Sequence, residues 1–475
     1  MAPLARLAAA AFALALAGCA SIPPIDRFLL TQEREPVRVE GARGALSHAQ
    51  SVRVLEDLKR RAPNSGILER HVAVEEALTD TPLSLGNKAM TLEDGKETYT
   101  AMLAAIRSAK HHVHMEMYIF EADEVGRLFA AALTERARAG VQVRLIYDAV
   151  GSLSTPKEFF QELESSGVQV VVFNPVKSVK VLDLVGIQNR DHRKLLLVDG
   201  RIAFLGGINI SGVYSGVSQS GGGGKFVSGS SRGKSEGGED PPFEERPWRD
   251  LQVRLEGPVV GDLQRAFVRQ WERWKKEPLP EAGLYPTLKA EGPHVVRAIA
   301  GSPEDKSGNA LYVALISAVE SAEKEVFIMN AYFVPHPQLV AALKSAAGRG
   351  VDVKLILPSK SDNSFVYHAG RSFYGDLLEA GVKIYERKNR MLHSKAAVVD
   401  GVWTTIGSTN LDWRSLVYND ELNAVVVGPE FASQVLAVFA RDLSNSEEIT
   451  QAAWQGRPIK DRFKEVGARA WARWL

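Results

Sequence analysis

The chain has 475 residues, which is long enough for two or three domains that each bury a core of their own. Apolar residues make up 45% of the chain and charged residues 24%, the proportions of an ordinary globular protein. The formal net charge of +1 gives no general attraction for nucleic acid, so we expect no nucleic-acid partner.

The N-terminal segment has the pattern of an export signal. Arg6 precedes an apolar run over residues 7–17, which is too short to cross a bilayer and is typical of a signal peptide. The run ends in LAGC, which resembles the lipobox of bacterial lipoproteins, where the cysteine is lipidated. Cys19 is the single cysteine of the chain, so no internal disulfide is possible. We interpret residues 1–19 as a lipoprotein-type signal peptide and Cys19 as the membrane anchor; the alternative is a signal whose cysteine is incidental.

The next two segments precede the main body of the chain. Residues 20–50 mix Pro, Arg, Gln and Gly without an apolar period, and we interpret them as a tether. Residues 51–81 carry Leu, Ile and Val at helical spacing and are predicted to form a helical preface. No later segment approaches the roughly 18 apolar residues that a membrane-spanning helix needs.

An internal duplication organises the rest of the chain. Three stretches of the first half match the second half in kind, namely 98–120 with 310–334, 128–148 with 339–358, and 163–173 with 378–386. Strands separated by helices of about a dozen residues need crossover connections, so we predict α/β domains, each a mainly parallel sheet flanked by helices.

We place the two predicted domains at residues 82–290 and 291–475, related by a pseudo-two-fold axis that makes the single chain a pseudo-dimer. Residues 215–242 are rich in Gly and Ser and have no counterpart in the second half, so we predict a flexible insertion there.

Each half contains the same short motif. Residues 189–200 read NRDHRKLLLVDG and residues 390–401 read RMLHSKAAVVDG, so both contain His-x-Lys, four residues, and Asp-Gly. Residues two apart share one face of a strand, so His and Lys point the same way, and Asp-Gly suits a hairpin turn. A lone copy is as well explained by turn chemistry, but two copies in matching halves indicate a catalytic site. The motif residues are His192, Lys194, Asp199, His393, Lys395 and Asp400.

Two copies of HxKx4D define the phospholipase D superfamily, which this sequence resembles. More narrowly, the stretches MEMYIFEADEVGRLF, GVQVRLIYDAVGS and GSTNLDWRSLVYNDELN resemble bacterial cardiolipin synthases, and the resemblance covers roughly residues 75–475. The resemblance implies two phospholipase D-type domains with one shared active site, and a phosphodiester chemistry that needs neither a metal nor a cofactor.

The resemblance also implies roles for individual residues. His192 is expected to be the nucleophile that forms a phosphohistidine, and His393 the acid that protonates the leaving hydroxyl and then the base for the incoming one. The two lysines are expected to neutralise the phosphate oxygens. Asn209 and Asn410 are expected to donate further hydrogen bonds to the phosphate.

Each imidazole also needs a carboxylate that orients its second nitrogen. Asp250 and Glu421 follow the motifs where the family places such acids, and they are our candidates. Asp199 and Asp400 belong to the catalytic motif, although we expect them to organise the hairpins rather than contact substrate.

Several weaker signals remain. Glu116 and Tyr118 either line the pocket or pack at a strand end, and His368 and Arg371 match a family stretch near the site and are candidates for headgroup contacts. His112 and His114 share a strand face with Glu116, which also fits a metal site. The segments WERWKK (271–276) and KEVGARAWARWL (464–475) combine Trp with cations, which suits either a lipid headgroup interface or a buried Trp on a charged helix.

The function that follows from the resemblance is transfer of a phosphatidyl group from phosphatidylglycerol to a second phosphatidylglycerol. The alternatives are a hydrolytic phospholipase D on the same site, a secreted nuclease, and a catalytically inactive membrane scaffold. The anchor implies a periplasmic location, and Ala20 after the cysteine favours the outer membrane, because an Asp there usually retains lipoproteins at the inner one.

Overall fold

The computed structural model describes residues 37–62, 66–175, 188–215, 243, 246–304 and 310–470. The predicted signal peptide, Cys19, most of the tether and insertion residues 216–242 lie outside these ranges. Across the described part of the chain, no helix is long and apolar enough to cross a membrane.

The first elements are short strands and two helices. Strands β1 (Val39–Gly41) and β2 (Gly44–Ala45) precede helices α1 (His48–Arg61) and α2 (Ile67–Leu78). Helix α1 begins at a capping box, in which the Ser47 side chain accepts from the Gln50 backbone. Helix α2 packs against the second half of the protein, where its buried Glu75 accepts a hydrogen bond from the Trp403 indole at 2.8 Å.

The first half alternates strands and helices as the sequence predicts. Its elements are β3 (Leu83–Glu93), α3 (Asp94–Ser108), β4 (His112–Met117), α4 (Glu124–Arg138), β5 (Gln142–Asp148), α5 (Lys157–Ser165), β6 (Gln169–Phe173), β7 (Arg190–Asp191), β8 (Lys194–Val198), β9 (Ile202–Gly206), β10 (Leu251–Glu256) and α6 (Val259–Lys275).

The second half repeats this order and then adds C-terminal elements. They are β11 (His294–Gly301), α7 (Ala310–Ser321), β12 (Glu325–Asn330), α8 (Pro337–Gly348), β13 (Asp352–Pro358), α9 (Ser364–Arg371), α10 (Tyr374–Glu379), β14 (Lys383–Arg387), β15 (Lys395–Val399), β16 (Trp403–Gly407), α11 (Trp413–Val417), β17 (Asn419–Val427), α12 (Pro429–Leu443), β18 (Ser446–Glu448), α13 (Gln451–Gln455) and α14 (Ile459–Ala470).

The duplicated α/β architecture is confirmed, but the sheets are mixed rather than mainly parallel. The strand order is β6-β5-β4-β8-β9-β10-β3 in the first half and β14-β13-β12-β15-β16-β17-β11 in the second. Only the first three strands of each order pair in parallel, through crossover helices. The motif strands β8 and β15 pair antiparallel with β4 and β12. They form hairpins with β9 and β16, because the Asp-Gly turns that follow them are too short for a crossover. Strands β3 and β11 pair antiparallel and join the halves.

Three apolar clusters hold these layers together. One lies on the outer face of the first half beneath α3, α4 and α5, and another on the outer face of the second half beneath α7 and α8. The third is contributed by both halves, with helices α6 and α12 covering inner-face residues such as Leu195 and Val398. Because the third cluster is shared, the two halves are fixed relative to each other, and so are the side chains where they meet.

Candidate active site

The backbone brings each motif histidine to the other half of the protein. Strand β7 pairs in parallel with the start of β17, and the His192 amide donates to the Asp420 carbonyl at 2.9 Å. On the other side Arg249 and Leu392 form a parallel bridge, and the His393 amide donates to the Arg249 carbonyl at 2.7 Å. Each histidine therefore lies next to the acidic residue of the opposite half.

Two histidine–carboxylate pairs result from this exchange. His192 Nδ1 lies 3.0 and 3.1 Å from the two carboxylate oxygens of Glu421, and His393 Nδ1 lies 2.7 Å from Asp250 Oδ2. All four side chains are buried. Asp250 and Glu421 are the acids that the sequence suggested, and the structure shows that each serves the histidine of the other motif.

The carboxylates of Glu421 and Asp250 occupy equivalent positions in the two halves but accept hydrogen bonds from different donors. Glu421 accepts from the Ser408 hydroxyl and, at 3.3 Å, from the Asn419 amide. Asp250 accepts from the Leu251 amide at 2.7 Å, and the residue that corresponds to Ser408 is Gly207. A Cβ atom at Gly207 would lie 2.2 Å from the Asp250 carboxylate, so only glycine leaves room for that carboxylate.

Both motif lysines are buried beside the histidines. Lys194 donates to the carbonyl of His192, and its ammonium lies 5.1 Å from the centre of the Tyr118 ring. Lys395 donates to the carbonyl of His393 and also lies 3.1 Å from His393 Nδ1. Burial lowers the pKa of Lys194 to about 7, against the opposing effect of Glu421, and lowers the pKa of Lys395 to about 8.

Both histidines are neutral at neutral pH. Burial lowers the pKa of His192 to about 4, although the Glu421 charge acts in the opposite direction. Burial and the Lys395 ammonium lower the pKa of His393 to about 4, against the effect of Asp250. A neutral imidazole that donates from Nδ1 to a carboxylate carries its lone pair on Nε2. His192 Nε2 is therefore in the form that a nucleophile requires.

The charges of the two motifs act on each other. The Lys395 ammonium lowers the pKa of His192, and the Lys194 ammonium lowers the pKa of His393. Glu421 likewise acts on both lysines. The two motifs therefore form a single cluster that combines two imidazoles, two lysines and two carboxylates.

Tyr118 is brought to this cluster, but Glu116 faces elsewhere. The Tyr118 ring stands edge-on to the His192 ring at 5.0 Å. Met117 pairs with Lys194 across β4 and β8, so Glu116 faces the opposite side of the sheet, where Arg193 lies 3.7 Å away. The pocket role suggested for Glu116 is therefore wrong, while that of Tyr118 stays a prediction supported by its contact.

The two asparagines lie near the cluster with different contacts. The Asn209 amide group accepts from the Ile119 backbone at 3.1 Å and donates to the Tyr214 hydroxyl at 3.0 Å. The Asn410 amide oxygen is buried, and the described residues offer it no hydrogen-bond partner. Contact of either asparagine with phosphate stays a prediction.

The structure adds three aromatic residues that the sequence reasoning missed. The Tyr214 hydroxyl lies 3.3 Å from His393 Nδ1, and the Trp248 ring centre lies 5.2 Å from that of His393. The Tyr332 ring stands edge-on to His393 at 6.0 Å. Tyr332 lies two residues after β12 and Tyr118 lies one residue after β4, so a tyrosine just beyond the corresponding strand of each half was a signal for it. Nothing local marked Tyr214 or Trp248, which flank the insertion.

The motif aspartates lie at the far ends of the strands from the histidines. Asp199 accepts from the backbone amides of Lys110, His111 and His112. Asp400 accepts in the same way from residues 323–325. Both adopt positive φ, 53° and 51°, in the hairpin turns. The structure thus corrects their inclusion among the catalytic residues and agrees with the expectation that they organise the hairpins.

The remaining candidates have other partners. Arg371 pairs with Glu386 and lies 3.6 Å from Glu465, and its helix α9, which also carries His368, packs on α14; their headgroup role stays a prediction. His114 contacts Gln264 at 2.8 Å and Arg144 at 3.0 Å. No group of three or more His, Cys, Asp or Glu within the described ranges is placed to hold a metal.

The duplicated α/β fold brings two HxK motifs together in one cluster, and each motif histidine contacts a carboxylate from the other half. These features define a phospholipase D-like enzyme. The family model described as "Cardiolipin synthase, PLD-like domain" matches residues 102–215 and 315–443. The chain belongs to this cardiolipin synthase family.

Individual relatives agree with this assignment. The chain is 35% identical over 392 residues to a cardiolipin synthase of Geobacillus kaustophilus, covering 82% of this chain and 72% of the relative. It is 33% identical over 418 residues to a cardiolipin synthase of Alkalihalophilus pseudofirmus, covering 87% and 77%. The crystal structure of phosphatidylserine synthase from Haemophilus influenzae shares the fold, with a TM-score of 0.62, 13% identity and coverage of 84% of this chain and 96% of that one.

Proposed function

We propose that the protein is a phosphatidyltransferase of the cardiolipin synthase type. It transfers the phosphatidyl group of one phosphatidylglycerol to the hydroxyl of a second one and releases glycerol. The observation that carries the proposal is the pair of histidine–carboxylate contacts exchanged between the halves, with a buried lysine beside each histidine. Such a cluster supplies a nucleophile, a proton donor and two cations for a phosphodiester.

The first step forms a covalent intermediate on His192. Its Nε2 attacks phosphorus, so that a P–N bond forms while the P–O bond to glycerol breaks. His393 gives its proton to the departing glycerol oxygen. The pKa of His393 is about 4 without substrate, and the bound phosphodiester favours its protonated form because it places a negative charge nearby.

The second step reverses the roles. His393, now neutral, takes the proton from the hydroxyl of the second phosphatidylglycerol, whose oxygen attacks phosphorus. A P–O bond forms, the P–N bond breaks, and His192 returns to its neutral form. Lys194 and Lys395 stabilise the charge on the non-bridging oxygens in both steps.

The test is mass spectrometry of the lipids formed from phosphatidylglycerol in mixed micelles that contain EDTA. We expect the intact protein to produce cardiolipin and glycerol in equal amounts. His192→Ala and His393→Ala should abolish both products, whereas His48→Ala, which changes an exposed histidine on α1, should not. DNA in a parallel reaction should stay uncut.

The products separate this proposal from its rivals. Phosphatidic acid as the main product would identify a hydrolase in which water resolves the intermediate. Cleavage of DNA without turnover of lipid would overturn the lipid assignment. Activity that disappears with EDTA and returns with a divalent cation would contradict the metal-independent mechanism.

We propose in addition that Cys19 is lipidated and holds the enzyme on the periplasmic side of a membrane, with the outer membrane preferred. The support is the LAGC sequence and the absence of any other cysteine. Labelling of cells with a fatty-acid analogue should mark the native chain and leave Cys19→Ser unlabelled, and membrane fractionation should then locate the labelled protein.

A further inference from the structure

Helix α14 exposes a row of large apolar side chains. Ile459, Phe463 and Val466 are 70%, 72% and 71% exposed. At about 100° of rotation per residue the three fall within an arc of about 60° on the helix surface. Glu465 and Ala468 lie on the opposite side and are buried, and this side packs on α9. The apolar row therefore points directly away from the protein.

Basic side chains border this row on both sides. The same helical geometry places Lys460 and Lys464 along one flank and Arg462 and Arg469 along the other. All four are exposed, although Arg469 also lies 3.2 Å from Asp376. The two acidic residues of the helix, Asp461 and Glu465, lie towards the buried side. An exposed apolar row between cations is the pattern of a helix that lies in a membrane interface.

The neighbouring helix connects this surface to the catalytic cluster. Helix α9 begins two residues after Asp362, whose carboxylate accepts from the Tyr332 hydroxyl at 2.7 Å. The Tyr332 ring in turn contacts His393. Phe365, on the first turn of α9, is 42% exposed. Helix α14 packs on α9, so its exposed apolar face is connected through α9, Asp362 and Tyr332 to the catalytic His393.

We propose that α14 is an interfacial helix that inserts Ile459, Phe463 and Val466 into the surface of an anionic phospholipid bilayer. Its lysines and arginines contact the lipid phosphates, which gives a charge complementarity that an apolar protein partner would not need. The choice of occupant rests on the proposed function, because an enzyme that uses phosphatidylglycerol must meet an anionic lipid surface. Beyond the described residues the sequence continues with Trp471 and Trp474, a residue type enriched at such interfaces.

The test reads the environment of α14 itself, because the N-terminal apolar segment of the full chain can bind lipid independently. In a Cys19→Ser background, Phe463→Cys carries an environment-sensitive fluorophore, and Val52→Cys on α1, which replaces another exposed apolar residue, is the matched control. We expect phosphatidylglycerol vesicles to shift the emission of the label at position 463 to the blue and to leave the label at position 52 unchanged. Phosphatidylcholine vesicles should bind at least about tenfold more weakly, since several cations lose their anionic partners.

Each other outcome overturns the proposal. An unchanged label at position 463 in the presence of anionic vesicles would show that the helix does not enter the bilayer. An equal response to both lipids would show that the flanking cations play no part. A blue shift without vesicles that grows with protein concentration would assign the apolar row to a contact between two copies of the chain. The readout is fluorescence, so it stays valid even if the enzyme proves to catalyse a different reaction.

Discussion

Glu421→Gln tests whether the histidine–carboxylate pairs are exchanged between the halves. The substitution keeps the shape of the side chain and removes its charge. The new glutamine side chain would still fit beside the Ser408 hydroxyl, but its amide group can donate to His192 Nδ1, which favours the tautomer whose Nε2 carries a proton instead of a lone pair.

The structure gives the expected magnitude. His192 Nδ1 lies 3.0 and 3.1 Å from the two oxygens of Glu421, which is a buried and charge-assisted hydrogen bond. Such a bond contributes roughly 1.5–3 kcal/mol, so its loss from the transition state should lower kcat roughly 10- to 100-fold. The pKa of His192 should also fall further, because the carboxylate charge is what raises it against burial.

The assay is the initial rate of cardiolipin formation, combined with nitrogen NMR of histidine-labelled protein to read the tautomers. Glu447→Gln, which changes an exposed carboxylate on β18, is the matched control and should keep the full rate. The NMR change in Glu421→Gln should affect His192 and leave His393 as it is. A rate within about threefold of wild type, or a tautomer change at His393 instead, would refute the exchanged pairing.

Three further predictions concern the lysines, a glycine and a motif aspartate. Burial lowers the pKa of Lys194 to about 7 and that of Lys395 to about 8, and the ammonium form is the active one, so kcat/KM should fall as pH rises from 7 to 9; a flat profile would contradict this. Gly207→Ala should lower kcat at least about tenfold, because the new Cβ displaces the Asp250 carboxylate from His393. Gly348→Ala is the control and should be neutral, since no atom lies within 4 Å of its new Cβ. Equal rates for the two variants would exclude the steric argument. Asp400→Ala should lower the free energy of unfolding by about 2 kcal/mol, measured by urea denaturation, because three backbone amides lose their acceptor, while the folded variant keeps kcat; a large loss of kcat would place the aspartate in catalysis after all.

The local patterns of the sequence were sufficient to predict the duplication and the positions of the motif strands. The period of apolar residues marks strands and helices wherever one face is buried, and both copies of the motif carry it. His192 and Lys194 lie two residues apart and meet in the cluster as expected, although the motif strand β8 begins only at Lys194, so the histidine lies just before the strand and not within it. The same local reasoning identified Asp-Gly as hairpin turns, which the amide contacts of Asp199 and Asp400 explain.

Whether neighbouring strands run parallel or antiparallel, and which carboxylate each histidine contacts, depends on contacts between residues that are distant in the sequence. Helical crossovers suggested mainly parallel sheets, but β8 and β15 pair antiparallel with β4 and β12, strands that lie far away in the sequence. Glu116 shows the same limit, because only the register between β4 and β8 reveals that it faces away from Lys194.

By itself, the sequence determined that this protein has two related halves, each with one histidine, one lysine and one carboxylate for phosphodiester chemistry. Only the tertiary structure decided that His192 uses Glu421 and His393 uses Asp250, because that choice follows from the pairing of β7 with β17 and of Arg249 with Leu392. Those contacts join residues more than 140 positions apart, as the 143-residue separation of His393 and Asp250 shows. No local propensity encodes such contacts, since they arise from the pairing and packing of the two halves around a shared core.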